Sequence, residues 1–169
     1  MILKIRDASI SDLPDIVEIY NAAIGDRMAT ADTDPVSTDS RERWYRSHDP
    51  KERPLWIAEA EEKMVGWLSF ELFYGRPAYQ ATAEISIYVA PYYHSRGIGQ
   101  HLLERAIARG PDLGLKTLVA YIFAHNTPSL RLFEKCGFRE WGYLPRVAEL
   151  DGIERDLIIM GRRLRERSR

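Results

Sequence analysis

Between His94 and Leu103 the chain reads HSRGIGQHLL. Gly97 and Gly99 bracket a single Ile, Arg96 precedes them, and apolar residues at helical spacing follow at once. Residues so poor at forming helices, standing where a helix begins, point to a use for the backbone itself. The first turn of a helix carries unpaired N–H groups and about half a positive charge, and without side chains in the way an anion can approach those donors closely. The strand-like run TAEISIYV lies just upstream, so the order is strand, tight loop, helix, the arrangement in which backbone amides cradle a pyrophosphate. The Lys and Ser/Thr of GxxxxGK[ST] are missing, and Leu102 stands where GxGxxG has its third glycine. The alternative use of the same glycines is to let a helix pack against a strand. Residues 91–139 carry a net charge of +4 in a chain of net charge -1, which suits a ligand with several phosphates near this loop.

A carboxylate is the second group of chemical interest. In AEISIYV the two-residue period sends Ala83, Ile85, Ile87 and Val89 to one face and Glu84, Ser86 and Tyr88 to the other. Helices are expected over both sides of the sheet, so a polar strand face marks a site; the alternative is an ordinary solvated Glu. His48, His94, His101 and His125 form no cluster, and Cys136 is the single cysteine, so neither a metal site nor a disulfide is expected.

These residues need a scaffold, and the chain alternates strand-like with helix-like segments, without repeats. ILKIRDA reads as a first strand, followed by a helix over SDLPDIVEIYNAAI with Leu13, Ile16, Val17, Tyr20 and Ile24 on one face. Residues 25–35 form a polar loop, and a second helix is expected from Ser37 to His48. PLWIAEA and KMVGWLSFEL make a hairpin across Glu61 and Glu62. After TAEISIYVA, the glycines open a helix running to Arg109, with Ile98, Leu102, Leu103, Ala106 and Ile107 facing inward. KTLVAYIF is another strand. TPSLRLFEKCG is a short helix with Thr127 as its cap, Pro128 in its first turn and Gly137 at its stop. FREWGYLP and ERDLIIMGRRL pair as antiparallel strands across Asp151-Gly152, and residues 162–169 form a basic solvated tail.

Composition bounds the rest. At 169 residues and 45% hydrophobic content, one domain spanning residues 1–169 is expected, of α/β or mixed α+β class. Twenty-four basic against 25 acidic residues offer no overall field for nucleic acid or an anionic membrane. MILKIRDASI has no long apolar region, and no run reaches the roughly 18 residues of a membrane span, so a cytoplasmic location is expected.

With these elements in order, the chain resembles the Gcn5-related N-acetyltransferases (GNAT). Their acetyl-CoA motif, [QR]-x-x-G-x-[GA] after a strand, is matched by His94-Ser95-Arg96-Gly97-Ile98-Gly99. Their second motif, an Asn followed by Ser, Leu and an E-K-x-G-F ending, is matched by NTPSLRLFEKCGF. RPAYQATAEISIYVAP and RDLIIMGRRL look like the branch that contains the phosphinothricin and methionine sulfoximine acetyltransferases, and the likeness extends over nearly the whole chain. The resemblance implies a splayed, mixed central sheet of about six to seven strands flanked by helices on both faces. It implies acetyl-CoA as cofactor, its pyrophosphate on the amides of residues 94–99 and its pantetheine along Ile87, Tyr88 and Val89, with further contacts at Asn126, Ser129 and Phe133. It implies Glu84 as the base for a small amine acceptor, and a homodimer.

Two departures from the family pattern stand out. Relatives often have a Tyr where this chain has Phe133, and Tyr88 and Tyr143 are the candidates to replace its phenol; the alternative for each is an aromatic packed at the sheet. The family's Lys/His-x-Gly-x-Trp-x-Asp segment here reads ELDGIERD, retaining Gly152 and Asp156. For the acceptor, Phe73, Arg76 and Tyr79 offer a cation and rings to the carboxylate of a small amino acid, the alternative for Arg76 being a surface residue of its loop, and the loop from Arg27 to Thr33 has the length of a lid. Trp141 and Tyr143 are expected in the core, with a subunit interface as the alternative. The expected activity is direct acetyl transfer to an amino acid or amino-acid-like toxin. A protein or peptide acceptor, or a CoA-binding regulatory protein without turnover, are the other readings.

Overall fold

The computed structural model describes residues 1–165. Strands β1 (Lys4–Asp7), β2 (Leu55–Ala60), β3 (Lys63–Leu72), β4 (Thr82–Val89), β5 (Thr117–Phe123), β6 (Arg139–Leu150) and β7 (Ile153–Arg163) form one sheet in the order β1-β2-β3-β4-β5-β7-β6. Helices α1 (Leu13–Ala22) and α2 (Glu42–Arg46) precede β2, while α3 (Ile98–Arg109) and α4 (Thr127–Lys135) flank β5. Every neighbouring pair is antiparallel except β4 and β5, which run parallel. The mixed, splayed α/β sheet implied by the resemblance is thus what the chain forms.

Turn chemistry explains the two hairpins. Glu61 and Glu62 have φ of 51° and 64°, and Asp151 and Gly152 have 53° and 78°. Positive φ at both central positions matches the right-handed twist of the flanking strands, so each two-residue link closes its hairpin tightly.

The sheet has a core on each face. The α3 side chains Ile98, Leu102, Leu103 and Ala106 bury against Leu68, Phe70, Ile85 and Leu118. On the other face Ile16, Ile19 and Tyr20 of α1, spaced to share one side of a helix, bury against Ile57 and Trp67. Each fully buried aliphatic or aromatic side chain contributes about 1.5–3 kcal/mol, so both helical layers are held by apolar contact more than by helix propensity.

Several expectations need correction. The helix expected from Ser37 to His48 is a 3-10 turn, Asp39–Arg41, followed by only five residues of α2. The Ser47 hydroxyl (2.6 Å) and the His48 ring (2.9 Å) both bond to Trp44 O, and Pro50 follows, so side chains take the carbonyl that a longer helix would need. The cap of α4 is Asn126, one residue before Thr127. The chain does not become a solvated tail at residue 162: β7 continues to Arg163, whose guanidinium donates to Thr117 Oγ1 at 2.7 Å, and Leu164 is buried. Residues 166–169 lie outside the described residues. Trp141 and Tyr143 are not core residues but about half exposed, because β6 is the outermost strand and has a partner on one side only.

Candidate active site

The parallel pair β4–β5 holds for three positions, Thr82↔Thr117, Ala83↔Leu118 and Glu84↔Val119, and then the strands part. Ala90 N donates to Val65 O at 2.8 Å on the β3 side. Strand alternation therefore turns the peptide groups of Tyr88, Ser86 and Glu84 toward β3, and those of Val89, Ile87 and Ile85 toward the gap that β5 leaves. His94 Nε2 donates to Val89 O at 2.8 Å, so this ring finishes the strand end. Ile85 and Ile87 offer N–H and C=O groups to which an amide-bearing chain can pair as an added strand would. A cavity of about 390 Å³ occupies the gap. Ile85, Ile87, Ala120, Ile122 and Phe133 line it from the α3/α4 face, and Glu84, Ser86, Tyr88 and Tyr121 from the other. Two reactants can therefore reach one another from opposite faces of the sheet.

Glu84 sits at the inner end of this cavity, at the last paired position. Burial, with the Glu71 carboxylate as the second cause, raises its pKa to about 7. Burial also pushes Tyr121 up to about 12, with the Tyr74 and Glu84 side chains close to it. Trp44 Nε1 donates to Glu71 Oε1 at 2.8 Å. Phe73, Arg76 and Tyr79 lie in the β3–β4 connection. Phe73 stacks edge-on with Tyr79 (5.5 Å) and with Tyr74 (4.5 Å), Arg76 is exposed, and none of the three lines the cavity. Sequence reading missed Glu71, Tyr74 and Tyr121. Only Tyr121 left a signal, as a polar tip inside the apolar run LVAYIF.

At the start of α3 the two glycines do different work. Gly97 has φ 81° and follows Ser95 at 62°, so the loop turns through the left-handed region. At Gly99, a Cβ would stand 3.0 Å from Leu132 Cδ2, so its missing side chain lets α3 pack on α4. Packing of the helix, one of the two uses weighed from sequence, is thus a role of Gly99, against α4. His94, Ser95, Arg96 and Gly97 are exposed, Ile98 is buried and Gly99 half-buried. They lie beyond the end of β4, outside the cavity lining, where the first-turn N–H groups of α3 begin. A gap offering strand amides and a helix start beyond it fit a long donor with an amide arm and an anionic middle.

Asn126 ties the opposite wall. Its Oδ1 accepts from Ser129 N at 3.3 Å, capping α4, and its Nδ2 donates to Met28 O at 3.1 Å. His125 Nε2 donates to Arg27 O (2.8 Å), Tyr88 Oη to Ala29 O (3.2 Å), and the Arg27 guanidinium pairs with Asp151 (2.9 Å). The loop expected as a lid is therefore strapped across the site, and Met28–Ala31 line the cavity. Ser129 and Phe133 line it too, Phe133 buried edge-on against Phe138 at 4.9 Å. Of the phenols considered in place of the family Tyr, Tyr88 is in the cavity with its pKa raised by burial, whereas Tyr143 lies on exposed β6 bonded to Asp156.

Comparison with known proteins places this geometry. A model of the acetyltransferase (GNAT) family matches residues 15–138. YwnH, a phosphinothricin acetyltransferase-like protein of Bacillus subtilis, is 49% identical over 163 residues, which cover 96% of this chain and 99% of that one. The L-methionine sulfoximine/L-methionine sulfone acetyltransferase of Pseudomonas aeruginosa is 32% identical over 161 residues, covering 95% of this chain and 94% of that one. The structure of a phosphinothricin acetyltransferase from Sinorhizobium meliloti in complex with AcCoA has a TM-score of 0.91 at 28% identity, covering 97% of this chain and 89% of that one. The parted strands, the glycine-led helix and the length of these matches agree: the chain belongs to the acetyltransferase (GNAT) family, the N-acetyltransferases that draw their acetyl group from acetyl-CoA.

Proposed function

We propose that the protein transfers acetyl directly from acetyl-CoA to the primary amine of an amino acid or amino-acid-like toxin of the phosphinothricin or methionine sulfoximine type. The observation that carries this reading is Glu84, a half-buried carboxylate of raised proton affinity at the inner end of a cavity lined from both faces of the sheet. Ile87 and Val89 would hold the pantetheine arm, with Tyr88, Asn126, Ser129 and Phe133 around it. The backbone of His94, Ser95, Arg96, Gly97, Ile98 and Gly99 would hold the diphosphate. Acetyl-CoA, when bound, supplies the thioester carbonyl that the amine attacks and the sulfur that departs as carbon–sulfur cleavage follows nitrogen–carbon bond formation.

Glu84 takes the ammonium proton that blocks the attacking lone pair. An ordinary carboxylate near 4.3 facing an alkylammonium near 10.4 is about six units too weak, roughly 8 kcal/mol uphill. At about 7 the deficit falls to about three units, near 5 kcal/mol. Burial and the Glu71 charge together thus remove part of the cost of the proton-transfer step. Phe133 has no proton to give, and a thiol near 8.5 leaves as thiolate and is protonated by water. Phe73, Arg76 and Tyr79 border the acceptor side through the β3–β4 connection, where Tyr74 reaches Tyr121.

The test is thiol release from acetyl-CoA with phosphinothricin, methionine sulfoximine, common amino acids, polyamines and peptides. Release with the amino-acid-like toxins supports the proposal; release with peptides alone assigns a protein acceptor; CoA binding without release makes the protein non-catalytic. Glu84→Gln should lower kcat by about 10² or more while CoA affinity holds, and an unchanged kcat refutes the role of Glu84. The reading includes a cytoplasmic homodimer joined through β6, supported by the exposure of Trp141, Tyr143 and Val147 on that outer strand, and sizing chromatography decides it. Among the described residues no helix is long and apolar enough to cross a membrane.

A further inference from the structure

Glu71 on β3 stands directly opposite Glu84 on β4 in the antiparallel register. Residues so opposed share one face of the sheet with Cβ atoms about 5 Å apart, and like charges at that separation destabilise a sheet. Among the described residues neither carboxylate forms an ion pair. The Glu71 carboxylate is anchored instead: it accepts the Trp44 indole N–H at 2.8 Å, and the Trp44 ring is wedged edge-on between Trp67 (5.4 Å) and His48 (4.9 Å). A Gln at this position would accept the same indole hydrogen bond without the repulsion. What Glu adds at position 71 is therefore its charge, held still and aimed at its neighbour across the strands.

Of the groups around the pair, the Arg41 guanidinium lies over the Trp44 ring at 5.3 Å, and among the described residues it forms no ion pair with Glu71. Tyr121 from β5 and Tyr74 from the β3–β4 connection contribute hydroxyls, and Tyr121, pushed up to about 12, stays neutral. His48, just past the end of α2, is close to Glu71, and burial lowers its pKa, so it too is neutral near pH 7. Glu71 does not line the cavity, so it touches the reactants only through Glu84.

We propose that Glu71 is a positioning residue for acetyl transfer, its Trp44-anchored negative charge inclining Glu84 to accept the proton of the incoming ammonium. The inference rests on Glu84 being the base. A base works only when deprotonated, so kcat/KM rises with pH through the Glu84 ionisation. Removing the charge opposite makes Glu84 a stronger acid and moves that rise to lower pH.

The experiment compares pH profiles of kcat/KM for the wild type, Glu71→Gln, Glu71→Asp and Glu84→Gln, with acetyl-CoA saturating and the best acceptor from the panel. Glu71→Gln keeps shape and the indole bond. Its acidic limb should move down by about one pH unit and its plateau kcat fall about three- to tenfold, with KM for acetyl-CoA unchanged. Glu71→Asp, which keeps the charge but is one methylene short of the indole, should displace the limb less than Glu71→Gln does, and an equal displacement overturns the role of the charge. A limb unmoved in Glu71→Gln, in an enzyme that Glu84→Gln inactivates, overturns the role of Glu71 alone. A Glu84→Gln enzyme with wild-type rate and limb overturns the base assignment, and this inference with it. Should Glu71→Gln not fold, Trp44→Phe frees the same carboxylate: a limb displaced downward by a smaller amount supports the proposal, and an unmoved one overturns it.

Discussion

Replacing Glu84 by Gln removes one ionisable group while keeping its size, and the structure says what that group does to stability. In the unfolded chain its pKa lies near 4.3, and in the folded protein it is raised to about 7. Below pH 4 both states hold the proton and the carboxyl adds no pH-dependent term. As pH rises from about 4.3 toward 7, the unfolded chain releases its proton while the folded one retains it, so stability is lost across that window and stays lost above it. At 1.36 kcal/mol per unit the full difference is about 3.7 kcal/mol. Glu84 is only partly buried, and solvent screening reduces this to about 1–2 kcal/mol. Glu84→Gln should therefore be more stable than the wild type by about 1–2 kcal/mol at pH 8, roughly 2–8 °C in Tm for a chain of this size, with the advantage fading toward pH 4. Urea unfolding of both proteins between pH 4 and 8, followed by tryptophan fluorescence, measures it. A difference independent of pH, or a less stable Gln variant at pH 8, would show that the folded protein does not penalise the ionised carboxylate. Glu84 would then be an ordinary carboxylate and not an unusually strong base.

Asn126→Ala removes both the cap of α4 and the bond to Met28 O, and should lower stability by about 1–2 kcal/mol in denaturant unfolding. It should also open the strap, seen as faster proteolysis within residues 25–36; cleavage at the wild-type rate would show that Asn126 does not hold the loop. Gly97→Ala forces a side chain into φ 81°, at a cost of about 1 kcal/mol, and should weaken CoA binding by up to about fivefold by calorimetry as the α3 entry shifts. Wild-type affinity in that variant would take the loop out of the binding site.

Much of the scaffold is legible because short-range physics writes it. The two-residue period of TAEISIYV separates Glu84 from the buried Ala83 and Ile85, and the structure keeps that division. The spacing in α3 names its buried residues, Ile98, Leu102, Leu103 and Ala106. The hairpins at Glu61–Glu62 and Asp151–Gly152 fall where two apolar runs leave two residues for a turn. The match to the family motifs adds order to these elements but not their distances.

The sequence by itself determined which segments are strands, where the longer helices lie, and which face of β4 is polar. Only the tertiary structure decided that β4 and β5 part after Glu84, that Glu71 confronts it across the connection of residues 73–81, and that Gly99 yields its space to Leu132. It also decided that Trp141 lies on an outer strand and that Phe73, Arg76 and Tyr79 stand beside the cavity without lining it. Periodicity and turn preference act over a few residues, whereas register, strand divergence and edge position are settled by the packing of segments far apart in the chain. A carboxylate's proton affinity, which depends on what surrounds it, is readable only after that packing is complete.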